Sequence, residues 1–237
     1  MKEKNLFLTL SIILLLTACG KHSSEELQSP DTIGPMTEVT SMVTSGSSTE
    51  DLAETTVQDS ENKSQRAEEL LDEFLAGNIM ASYVNSDREP FYITDLPMNE
   101  EDFFSYSVGG NMDLDNDGEL ELILDGAYGG IYLDARDNTV YVLAEGLGTA
   151  EILSYTTFDE QTWIVHSDTI HSGRYLYSFT RYDGSGAVQD TFLLTQEFWE
   201  TPDMPDGPDT VYTYRDEKIT REEFMALREK MLHIAAP

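Results

Sequence analysis

Five acids stand at alternate positions in one short run: Asp113, Asp115, Asp117, Glu119 and Glu121, with Asn116 and Gly118 between them. Carboxylates this close repel one another, and a hard divalent cation removes that repulsion. Calcium takes about six to eight oxygens at about 2.3–2.6 Å, so a tight loop with an oxygen at every second residue can wrap one ion. The glycine at the sixth place of the run permits the sharp turn such a loop needs. The plain alternative is an acidic hairpin with no fixed metal. The spacing favours calcium, held for structural reasons ahead of a core strand.

No other group of residues marks a reaction. His166 and His171, with Asp168 between them, lack a third zinc ligand at a recognised spacing. Gly184-Ser185-Gly186 is a turn, not a nucleophile elbow, since the Gly-x-Ser-x-Gly pattern is absent. No glycine-rich phosphate loop occurs, and no acid pair is singled out for glycoside hydrolysis. The tyrosines and tryptophans read as core and sheet pairs before they read as a sugar platform.

The elements that must carry the acidic loop follow from periodicity. Ala67, Leu70, Leu71, Phe74 and Leu75 form one apolar stripe of a helix, and Gly77 stops it. Residues 78–83 read as a further short turn of helix. Strands are expected over 103–108, 120–124, 131–133, 139–143, 151–156, 162–166, 174–182, 188–199 and 211–214. In 120–124 the leucines form an apolar face and Glu119 and Glu121 a mostly acidic one. Residues 134–138 and 183–186 are turns. Thr220 and Glu223 form a capping box, with Ile219 and Phe224 as its apolar staple, so a last helix follows with Phe224, Leu227, Met231 and Leu232 inward. The class expected is α+β, an antiparallel sheet flanked by an N-terminal and a C-terminal helix.

The acidic run resembles the Asp-x-Asp-x-Asp-Gly calcium loops. By that resemblance Asp113, Asp115 and Asp117 take positions one, three and five, Glu119 gives its backbone carbonyl at position seven, and Glu121 closes the site at position nine. The twelfth position, where an EF-hand closes with an acid, is Leu124. The match is therefore nearer to the loops of FG-GAP or VCBS-type β-repeats. Phe74-Leu75-Ala76-Gly77, the acidic run, and Thr220-Arg221-Glu222-Glu223-Phe224 together resemble surface lipoproteins of Gram-positive type, a largely uncharacterised group.

The chain start supplies an address. A basic end (Lys2, Lys4) and an apolar run to Leu16 precede Thr17-Ala18-Cys19-Gly20, a secretory signal too short to span comfortably. Leu16-Thr17-Ala18-Cys19 resembles a bacterial lipobox. That likeness implies cleavage after Ala18, diacylglyceryl attachment to the Cys19 sulfur, and an extracytoplasmic, membrane-held protein. Cys19 is the chain's one cysteine, so no internal disulfide forms. Residues 19–64 have no aromatic side chain and many Ser, Thr and Glu, the composition of a disordered tether. Residues 65–237 form the single folded domain. The net charge of −31 excludes nucleic acid and anionic headgroups as partners. The expected function is a non-enzymatic binding or interaction module for an unnamed protein or glycan. The alternative is a surface hydrolase of cell wall or glycan with structural calcium.

Overall fold

The computed structural model describes residues 50–98 and 101–234. They belong to one compact unit. The signal, Cys19 and the tether as far as residue 49 lie outside the described residues.

The class is the expected α+β, but the strands divide between two sheets. Helix α1 (Glu50–Leu75) leads into β1 (Ala81–Tyr83), β2 (Ser107–Met112), β3 (Glu121–Asp125), β4 (Ile131–Arg136) and β5 (Thr139–Glu145). Then come β6 (Ile152–Phe158), β7 (Gln161–Asp168), β8 (Arg174–Tyr182), β9 (Val188–Glu197), β10 (Val211–Tyr214), β11 (Glu217–Ile219) and α2 (Arg221–Leu232). The first sheet has the order β1-β5-β4-β3-β2 and the second β11-β10-β9-β8-β7-β6. All pairings are antiparallel except β1 with β5.

The alternation along each strand makes four layers. Leu70, Leu71 and Phe74 of α1 pack on Leu122, Leu124, Leu133 and Val140 of the first sheet. The opposite face of that sheet, with Ile123, Tyr132 and Ala144, meets Leu153 and Ile164 of the second. The far face of the second sheet, with Val165, Tyr177, Phe179 and Leu194, is covered by Phe224 and Met231 of α2. The first sheet is thus interior on both faces, as the burial of four consecutive residues from Glu121 to Leu124 shows.

Several expectations need correction. Helix α1 starts at Glu50, well inside the segment assigned to the tether. That stretch lacks Pro and Gly and needs no aromatic core to propagate a helix. Residues 78–83 do not extend α1. Gly77 at φ 76° ends it, and Ala81–Tyr83 adds a parallel edge strand to β5. The strand expected at 103–108 lies later, at Ser107–Met112. Phe103 and Phe104 are exposed and meet each other and Tyr128 edge-on or tilted. Leu120 is exposed, and Glu121 of the expected acidic face is buried on the Ile123 side of the strand, toward the second sheet, instead of facing water. The turn expected at 134–138 narrows to Asp137 and Asn138, both with positive φ, and Asp134 belongs to β4. The C-terminal signals hold: Thr220 and Glu223 form the reciprocal cap of α2.

Candidate metal centre

The acidic loop joins β2 to β3 and is shaped by its own side chains. The Asn116 and Gly118 amides donate to the two carboxylate oxygens of Asp113, at 2.7 and 3.2 Å. The Asp117 amide donates to Asp115 at 3.3 Å and the Glu119 amide to Asp117 at 2.8 Å. Gly118 sits at φ 89°, a left-handed conformation that a side chain would strain. Glu121 reaches back from the start of β3, where its Oε2 accepts from the Leu114 amide and, at 3.3 Å, from the Asp115 amide. These bonds curl the chain so that its carboxylates share one side.

Two overlapping groups result. Carboxylate oxygens of Asp113, Asp115 and Asp117 lie within 4.8 Å of one another, and so do those of Asp115, Glu121 and Asp134. The second group is wholly buried. Four of the five acids expected from the sequence therefore belong to one or other group, and Asp115 belongs to both. The fifth, Glu119, belongs to neither group: its carboxylate turns to Lys63 of α1 at 3.3 Å, and Lys63 also meets Asp117 at 3.0 Å. Asp134 is the residue the sequence reading missed. The register pairs Leu122 with Leu133, so Glu121 and Asp134 fall directly opposite each other across β3 and β4. Like charges placed that way destabilise a sheet unless something positive lies between them.

Arg136 forms an ion pair with Asp134. With Lys63 it gives two positive charges against six carboxylates, from Asp113, Asp115, Asp117, Glu119, Glu121 and Asp134. Four negative charges remain uncompensated in a region where Asp115, Glu121 and Asp134 are buried. Burial above all, with the neighbouring carboxylates adding to it, pushes Glu121 up to about 8 from 4.5 and Asp115 up to about 6 from 3.8. The oxygens fit a hard divalent cation: several carboxylates, no nitrogen or sulfur, and the Glu119 carbonyl within the same loop.

Both acids have folded-state values above their unfolded ones. Their contribution to the metal-free domain is complete below about pH 4 and is lost as pH rises through 6 and 8. A cation takes the deprotonated forms, so its affinity rises over the same interval. Calcium titrations at pH 5.5, 7 and 8.5 should give successively tighter binding; an affinity flat across that range would contradict the assignment.

The loop is fastened to the second sheet. Asn116, at φ 68°, exchanges two hydrogen bonds with the Thr162 backbone of β7, its Nδ2 donating at 3.1 Å and its Oδ1 accepting at 2.6 Å. The β8–β9 turn also closes on it, and a Cβ at Gly184 would stand 2.4 Å from an Asp117 carboxylate oxygen.

Among the described residues the histidines make no second centre. His171 Nδ1 and Arg174 both bind Asp168, at 2.7 Å, whereas His166 Nε2 lies 3.1 Å from the Glu145 carbonyl. Compared with family models, with characterised proteins and with solved structures, the chain matches none.

Proposed function

We propose that this protein is a membrane-anchored extracytoplasmic lipoprotein whose β-rich domain is stabilised by calcium and serves as a binding or interaction module. The two carboxylate groups that share Asp115, one with Asp113 and Asp117 and one with Glu121 and Asp134, carry the calcium part. Glu121 lies buried opposite Asp134, and among the described residues Arg136 is the one cation paired with either carboxylate. The lipid anchor rests on the Leu16–Cys19 segment of the sequence. The binding role fits a domain whose converging carboxylates are tied to loop and sheet structure and lie apart from the open groove beside α2.

Thermal unfolding with and without calcium tests the metal. Extracellular calcium sites commonly have Kd about 10⁻⁴ M, so 1 mM calcium supplies about tenfold excess and about 1.4 kcal/mol. For a domain of this size the midpoint should rise by about 3–6 °C. Magnesium, which holds its waters and demands a regular octahedron, should do less. No shift with calcium would remove the metal from the proposal.

The anchor has its own test. Cells fed a labelled fatty acid should incorporate it into the chain, and Cys19→Ser should abolish the label and release the protein from the membrane fraction. Label retained in Cys19→Ser would defeat the anchor and leave the metal site standing.

A further inference from the structure

The second sheet is wider than the helix that covers it. Twelve-residue α2 spans about 18 Å, so part of the β6–β8 face next to its C-terminal end stays open. The result is a groove of 740 Å³. Its floor carries Ser154, Ser167, Thr169, Tyr175 and Tyr177, and Arg228 rises from α2 at its wall.

The chemistry of this groove is unlike that of the rest of the domain. Thirty-five of the 173 residues from 65 onward are acidic, about one in five, yet among the described residues no carboxylate side chain lines the groove. Arg228 makes no hydrogen bond or ion pair with any described residue, and its Nε is buried without a partner. The carboxylate whose field reaches it, Asp206, is held by Arg221 at 3.0 Å and by the Tyr212 hydroxyl at 3.1 Å. Its two Nη groups, neither paired with a described residue nor fully buried, are the ones open to an acceptor that enters the groove.

We propose that the groove binds a carboxylate-bearing sugar, a uronic or sialic acid unit of a glycan, with Arg228 receiving the carboxylate. A sugar ring alternates hydroxyls with C–H faces. Ser154, Ser167 and Thr169 answer the hydroxyls, and the ring of Tyr175, half-buried on β8, answers a C–H face. A purely apolar ligand would strand the serine and threonine hydroxyls. A phosphate is disfavoured, because the single arginine in the groove matches a monoanion and leaves a dianion half-neutralised. This site gives the interaction module of the proposed function its ligand class, and it uses none of the calcium-loop residues.

The test is calorimetric titration of the detergent-solubilised full chain with 3′-sialyllactose, with lactose as the neutral control and an acidic peptide as the protein-like control, each with and without calcium. Saturable binding of sialyllactose at least tenfold tighter than lactose is expected, with a further loss of at least tenfold in Arg228→Gln. Arg228→Lys should recover part of it. Far-UV circular dichroism and thermal unfolding confirm that the variants fold. Equal binding of lactose, no binding of sialyllactose, binding indifferent to Arg228, or equal capture of the peptide through Arg228 would each overturn the assignment. Loss of calcium response without loss of sugar binding would count against the metal site alone.

Discussion

Glu121→Gln should weaken calcium binding by about 100-fold or more, which is about 2.8 kcal/mol or more, without destabilising the calcium-free domain. The amide keeps the shape of the carboxyl, and its oxygen can still accept from the Leu114 and Asp115 amides. What it removes is the ability to become a buried negative charge directly opposite Asp134, the form a cation takes. The two effects have opposite signs in the two conditions. In chelator the variant should unfold at or above the temperature of the parent protein; in millimolar calcium it should unfold below it. That crossover separates a ligand from a residue that merely packs, because a packing defect lowers both curves. A variant with parental calcium affinity would show that Glu121 is no ligand.

Arg174→Ala should cost about 3 kcal/mol, lowering the unfolding midpoint by about 6–12 °C. Asp168 is fully buried at the end of β7, and Arg174 holds one of its oxygens through two donors, at 2.7 and 2.9 Å. Removing the guanidinium leaves the carboxylate with His171 and little else. The figure sits at the low end for a broken buried pair because Arg174 is itself about one-third exposed. A pH signature accompanies the loss. Although burial pushes Asp168 up, the His171 and Arg174 hydrogen bonds outweigh it and hold the carboxyl below 3.8. The parent protein therefore draws stability from this group above about pH 4 and loses it as pH falls through the depressed value. In Arg174→Ala that acid limb should flatten. Urea midpoints measured from pH 6 down to pH 2.5 would reveal it, and an unchanged limb would assign the acid sensitivity to other carboxylates.

What the sequence made legible was local. The loop glycine, the alternating acids, the Thr220–Glu223 cap and the turn at 183–186 each declare themselves within a few residues. Asp134 did not, because its role arises from the register that sets β4 against β3, and register is information between segments. One sign was present: a lone acid interrupts the apolar run Ile131-Tyr132-Leu133 just before Ala135. The division into two sheets was hidden for a related reason. A strand buried on both faces, as β3 is, alternates between two apolar layers, and Glu121 reads as solvent-facing until the second sheet covers it. β1 and β11 are three residues each, too short for any period to show. The groove beside α2 has no sequence signature at all, since it is the difference between a helix length and a sheet width.

The pairing of Asn116 with the Thr162 backbone, with Gly184 pressed on Asp117, makes the acidic loop a clasp across the seam where the two sheets meet. Opening that clasp by chelation should not melt the domain as a unit. Amides along the β6–β7 hairpin near Thr162 should exchange with solvent sooner, while those beneath α2 keep their protection. Surrounding calcium would then set how long the chain resists a protease, quite apart from how tightly it holds any ligand.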